Sequence, residues 1–169
     1  HDVMRIAIVQ MNPTVGDLEG NSEAIIEKAH QARQRGADLA VFSELCVVGY
    51  PPQDLLENRF FVEAVQQALQ HIAHNVPQDM GVIVGAPVPN RGPVGKRAYN
   101  AALLYEGGER LATVHKTLLP TYDIFDEHRY FEPERERHVV EWRGLKLGLH
   151  VCEDMWNTQQ QDTYHLYHE

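Results

Sequence analysis

Three side chains with complementary chemistry stand at the ends of apolar runs in this sequence: Glu44, Lys116 and Cys152. Leu145, Leu147, Leu149 and Val151 lead into Cys152, and Glu153, Asp154 and Trp156 follow it. The pattern predicts a buried strand that presents a thiol at its C-terminal edge. A cysteine is a strong nucleophile once its thiol is ionised. Glu44 follows the apolar stretch 37–42, and Lys116 follows a predicted hairpin strand over 110–114. If these strands share one sheet, their ends can bring the three groups together. Amide cleavage would use all three. The carboxylate takes the thiol proton as general base. The ammonium faces the oxyanion of the tetrahedral intermediate. The thiolate forms a thioester, which water then hydrolyses. Each residue also has a plainer reading. A lone cysteine is usually a small buried hydrophobe, a strand-end lysine is usually solvated, and Glu44 can cap a turn.

The elements that must position these groups follow from hydrophobic periodicity. Residues 4–11 are a nearly continuous apolar run, which predicts a central strand covered on both faces. Turn chemistry follows at Asn12–Asp17. Asn21 or Ser22 offers an N-cap for a helix whose Ile25, Ile26, Ala29 and Ala32 share a face and which Gly36 stops. Residues 37–42 predict a second strand. Phe60, Phe61, Val65, Leu69 and Ile72 keep helical spacing until Pro77. Residues 80–85 predict a third strand. Residues 98–105 and 110–114 flank Glu106-Gly-Gly-Glu109, a strong hairpin signal, and a second hairpin is predicted around Arg143-Gly144. This order argues for an α/β domain with a mixed sheet.

Composition bounds the function classes. The 169 residues carry 24 acids and 15 bases, a net charge of −9, which opposes generic binding to nucleic acid or anionic membrane. No apolar run approaches the ~18 residues of a membrane span. No secretory pattern opens the chain, and Met4 reads as the natural start. Cys46 and Cys152 make no disulfide framework; a bridge between the two stays open, and with no secretory pattern two thiols in a reducing cytoplasm are the favoured expectation. Cys46 reads as packing, and His71 and His74 as exposed helix residues. No His-Glu-x-x-His or Cys/His cluster marks a metal site. Gly92–Arg97 lacks the glycine spacing and Ser/Thr of a phosphate loop.

Three blocks, Val41–Leu55, His115–Phe131 and His150–Trp156, resemble the motif blocks of the nitrilase, or carbon–nitrogen hydrolase, superfamily. Within it, Gly49-Tyr-Pro-Pro-Gln-Asp-Leu55, Leu119-Pro-Thr-Tyr-Asp-Ile-Phe-Asp-Glu127 and Cys152-Glu-Asp-Met-Trp156 most resemble the glutaminase domains of glutamine-dependent NAD⁺ synthetases. The resemblance implies an α-β-β-α sandwich with a mixed sheet. It implies Glu44 as general base, Lys116 as the lysine that stabilises the intermediate, and Cys152 as nucleophile. It further implies that Glu127 orients substrate and lysine, that Tyr50, Tyr122 and Phe125 line a glutamine pocket, and that the Glu153 N–H joins the oxyanion site.

By the same resemblance the substrate is glutamine. The amidase reaction needs no cofactor, and homo-oligomers are expected. A synthetase domain using ATP and Mg²⁺ would accept the ammonia, but nothing here resembles its Ser-Gly-Gly-x-Asp-Ser loop. The expected organisation is an amidase domain over 4–157, incomplete at its C-terminus, with 158–169 an unassigned tail. Two alternatives stand beside this reading: another amidase of the same superfamily, and a non-catalytic fragment that acts only in assembly.

Overall fold

The computed structural model describes residues 4–43, 45–49, 55, 57–89, 98–117, 137–151 and 164–168. At 99, 115–117, 137–140, 148–151 and 164–168 only the backbone is described. The chain divides into two compact units, His1–Thr117 and Leu118–Glu169.

The first unit is built on a five-stranded mixed sheet in the order β1-β2-β3-β4-β5. β1 is Ile6–Val9, β2 Leu39–Phe42, β3 Gly81–Pro89, β4 Ala98–Glu106 and β5 Glu109–Thr117. β1, β2 and β3 run parallel; β4 and β5 are added antiparallel. The parallel connections contain helices α1 (Leu18–Gln34) and α2 (Arg59–Asn75). This is the α/β class with a mixed sheet that the sequence predicts.

The strands read correctly where burial is two-sided. All four residues of β2 and the first eight of β3 are buried. β1 differs from expectation. It is the outermost strand of this described sheet, and Ile8 is 62% exposed. Its apolar run is that of a central strand, but the sheet described here offers it one hydrogen-bonded neighbour.

α1 also starts earlier than predicted. Its N-cap is Asp17, whose side chain accepts from the Gly20 N–H at 3.0 Å. Asn21 and Ser22, the predicted caps, lie inside the helix and are buried. The far end is as expected. Gly36 takes φ +91, its N–H donates to the Arg33 carbonyl, and the Ala37 N–H reaches back to Ala32. That pair of bonds is a Schellman stop, which satisfies carbonyls the helix leaves open.

α2 is capped by Asn58, which accepts from the N–H groups of Phe60 and Phe61. Its buried stripe is Val62, Val65, Leu69, Ile72 and Ala73. Each large aliphatic side chain fully buried this way contributes roughly 1.5–3 kcal/mol. The two helices are also joined by polar contacts on their exposed sides. The His30 Nε2–H donates to the Asn75 carbonyl at 2.8 Å, and His71 Nε2 lies 2.8 Å from Glu23. His71 and His74 are exposed, as read from sequence.

Both predicted hairpins form. Gly107 and Gly108 take φ +65 and +81 between β4 and β5. Arg143 and Gly144 take φ +51 and +76 between β6 (Arg137–Trp142) and β7 (Leu145–Val151). Two successive positive φ values match the twist of a two-residue hairpin. In this second unit, β6, β7 and β8 (Tyr164–His168) form an antiparallel sheet. β8 falls in the stretch the sequence left unassigned. Trp142 and Leu147 are buried in this unit, and the Arg143 guanidinium lies 4.7 Å from the Trp142 ring centroid.

Candidate active site

Strand direction decides which residues gather at one end of the first sheet. β2 and β3 are parallel, so their C-terminal ends coincide. β4 is antiparallel to β3 and β5 to β4, so the start of β4 and the end of β5 reach that same end. Ser43 leaves β2 there, and Lys116 sits one residue before the end of β5. Two intervening strands separate β2 from β5, a span of about 14 Å at ordinary strand spacing.

Lys116 was expected just after a strand ending at Val114. β5 instead runs on to Thr117, because β4 continues far enough to pair with it: Asn100 opposes Lys116, and Tyr99 opposes Thr117. Asn100 is only 2% exposed, a buried polar group that sequence reading did not single out. Its signal is its register, which local sequence does not display.

Glu44 lies outside the described residues, but Ser43 and Leu45 bracket it. The chain after it is strongly tied. Leu45 takes φ +55, an uncommon region for a residue with a side chain. Its carbonyl accepts from the Gly49 N–H at 2.7 Å and from the Val48 N–H at 3.2 Å. Beyond the β2–β3 ladder, Gly85 of β3 keeps Ala102 of β4 as its partner on one side and on the β2 side is met by this turn. The Gly85 N–H donates to Cys46 Sγ at 3.5 Å, and the Gly85 carbonyl accepts from the Val47 N–H at 3.3 Å. The Cys46 thiol also donates to that carbonyl at 3.7 Å. Cys46 is fully buried and free, and burial pushes its pKa from 9.0 up to about 12. A thiol held protonated in this way is packing rather than nucleophile, as the sequence reading has it.

Cys152 follows Val151, the last residue of β7, and lies outside the described residues. So do Tyr50, Tyr122, Phe125, Glu127 and Glu153, together with the side chain of Lys116 and the loop 90–97. Among the described residues, no group of three or more His, Cys, Asp or Glu side chains is arranged to hold a metal ion. No helix among them is long and apolar enough to cross a membrane.

Comparison with known proteins supplies the class. The sequence profile of the carbon-nitrogen hydrolase family matches residues 5–163. The chain belongs to that family. It is 41% identical over 157 residues to a glutamine-dependent NAD(+) synthetase of Synechocystis, covering 91% of this chain and 28% of that protein. The solved structure of a glutamine-dependent NAD+ synthetase from Acinetobacter baumannii superposes with TM-score 0.72 at 33% identity, over 91% of this chain and 28% of that one. An amidase mutant from Nesterenkonia sp. AN1, with acrylamide added to its active-site cysteine, superposes with TM-score 0.65 at 30% identity. That match covers 90% of this chain and 58% of the amidase. The chain thus spans little more than a quarter of the length of the synthetases it matches.

Proposed function

We propose that this chain is the glutamine-hydrolysing part of a glutamine-dependent NAD⁺ synthetase. The observation that carries the reading is the coincidence of motif and strand end. Glu44 comes two residues after β2, Lys116 one residue before the end of β5, and Cys152 directly after β7. Identity of 41% to a relative of that name supports the choice of substrate.

The reaction is written on these groups. Glu44 takes the Cys152 thiol proton, and the thiolate sulfur bonds to the side-chain amide carbon of glutamine. The oxyanion is met by the Lys116 ammonium and the Glu153 N–H. The carbon–nitrogen bond breaks as Glu44 returns its proton to the departing ammonia. Water, activated by the same carboxylate, cleaves the thioester to glutamate and restores the thiol. Glu127 orients Lys116 and the substrate, and Tyr50, Tyr122 and Phe125 line the pocket. No cofactor enters these steps. The ammonia passes to a synthetase domain that uses ATP and Mg²⁺, and the protein works as a homo-oligomer.

Cys152→Ala should abolish glutamine hydrolysis and labelling by a glutamine-like electrophile; undiminished turnover would overturn the assignment. A second reading, an amidase with another substrate, draws on the Nesterenkonia likeness. Turnover of simple amides in preference to glutamine would favour it. A third, a non-catalytic fragment, draws on the short span relative to the synthetases. Turnover by the isolated 169-residue chain would remove it.

A further inference from the structure

Asn21 is only 3% exposed and lies within the first turns of α1. Asparagine is a poor helix former, and a buried amide costs stability unless it is hydrogen-bonded. Asn21 meets that requirement with groups outside its own helix. Its Oδ1 accepts from the Thr14 N–H at 2.9 Å, and its Nδ2 donates to the Thr14 carbonyl at 2.8 Å. The same Nδ2 donates to the Val47 carbonyl at 3.0 Å, a fully buried contact 26 residues along the chain. One side chain thereby joins the loop after β1, the helix and the turn after β2. The turn receives a second tie from that loop, where the Gly16 N–H donates to the Val48 carbonyl at 3.0 Å.

Val47 is consequently held at both ends of its backbone. Its N–H is on Gly85 of β3, and its carbonyl is on Asn21. Between this clamp and the end of β2 lie Glu44 and the left-handed Leu45. A backbone conformation of that kind persists only where its surroundings over-determine it. The residue so constrained is the immediate neighbour of the carboxylate. We propose that Asn21 is a positioning residue for Glu44: by fixing the Val47 carbonyl it holds Leu45 in its left-handed conformation and so sets the aim of the base. The proposal rests on the reading of Glu44 as general base given above.

The test uses glutamine hydrolysis by this protein, with turnover expressed per folded molecule from near-UV circular dichroism. Glu44→Gln checks the underlying reading, and full activity in that variant overturns it. With Glu44→Gln inactive, Asn21→Ala should lower kcat on the order of 10–100-fold, the cost of a small misplacement of a reacting group. KM should change less than kcat, because Tyr122, Phe125 and Glu127 of the proposed pocket lie outside this turn. Asn21→Ser, which keeps a short donor toward Val47, should recover part of the loss, and it replaces Asn21→Ala if that variant does not fold. In a double-mutant cycle, Glu44→Asp, whose carboxylate is already displaced, should make the further loss from Asn21→Ala smaller than it is alone. Unchanged kcat per folded molecule, or losses that simply multiply, would mean that Asn21 only stabilises the fold.

Discussion

Asn100 and Lys116 stand directly opposite each other on the antiparallel ladder of β4 and β5. Lys116 is therefore anchored by strand hydrogen bonding rather than by a loop, which suits a group that must meet developing charge without reorganising. On the proposal that its ammonium meets the oxyanion, Lys116→Ala should lower glutamine turnover about 10²–10³-fold, the usual cost of removing such a group. The melting temperature should change little, because the ladder uses backbone groups that alanine retains. Steady-state kinetics beside a thermal melt checks this; a large fall in melting temperature with kcat preserved in the folded fraction would count against it.

Cys46 gives a prediction about pH. Its thiol is buried, and its pKa is raised from 9.0 to about 12 by desolvation, with hydrogen bonding to Gly85 opposing. The native state thus keeps a proton that the unfolded chain releases above pH 9.0. The corresponding stability is fully present below pH 9.0 and is lost progressively as pH rises toward about 12. Denaturant unfolding between pH 8 and 11 should fall more steeply with pH in the parent protein than in Cys46→Ala. The Cys46→Ala protein should be less stable at pH 8, since it loses a packed sulfur and the acceptor for the Gly85 N–H. At the same pH an alkylating agent should leave Cys46 unmodified until the protein is unfolded, and rapid native modification would overturn the picture.

What the sequence made legible, and what it hid, separates along physical lines. Gly107-Gly108 and Arg143-Gly144 announced their hairpins because two-residue turns need positive φ at fixed positions. Gly36 announced the end of α1 for the same local reason. The apolar run of β1 was equally clear, yet it cannot say how many neighbours the strand acquires, and Ile8 is largely exposed. Asn21 misled in a more instructive way. The atoms that cap a helix are the atoms that bridge elements, and only the fold reveals that Asp17 takes the first role and Asn21 the second. At the candidate site the three motif blocks were readable in one dimension. The pairing of Lys116 with Asn100, and the clamp on Val47, depend on register and on contacts far apart in sequence.

Gly49 closes the turn that begins at Leu45. It has φ +75, and its N–H donates to the Leu45 carbonyl at 2.7 Å. A Cβ there would lie 3.1 Å from the Val15 Cα and 3.2 Å from its backbone nitrogen, neither of which can swing aside as a side chain would. Gly49→Ala therefore combines left-handed strain with a backbone clash and should destabilise by roughly 1–3 kcal/mol. Gly107→Ala is the control in the same unit. It shares a positive φ, +65, but its nearest new contact is the Gln78 carbonyl at 4.0 Å. Urea unfolding should rank Gly49→Ala clearly below Gly107→Ala, and equal losses would show that the approach to Val15 is relieved at little cost.

Ser22 is the neighbour of Asn21 and is predicted to behave oppositely. It is 2% exposed, and its hydroxyl has no hydrogen-bond partner among the described residues. A buried hydroxyl left without a partner costs roughly 1–3 kcal/mol. Ser22→Ala removes that oxygen, changes the packed volume little and installs the best helix former. The substitution should raise stability by about 1 kcal/mol, or about 2–4 °C in melting temperature for a domain of this size. Asn21→Ala, one residue earlier, should lower it, because the Thr14 and Val47 groups it leaves behind are then unmet. Thermal melts of the two variants beside the parent decide the matter. A destabilised Ser22→Ala would mean that the hydroxyl has a partner in solution after all, and that it holds the start of α1 together with Asp17 and Asn21.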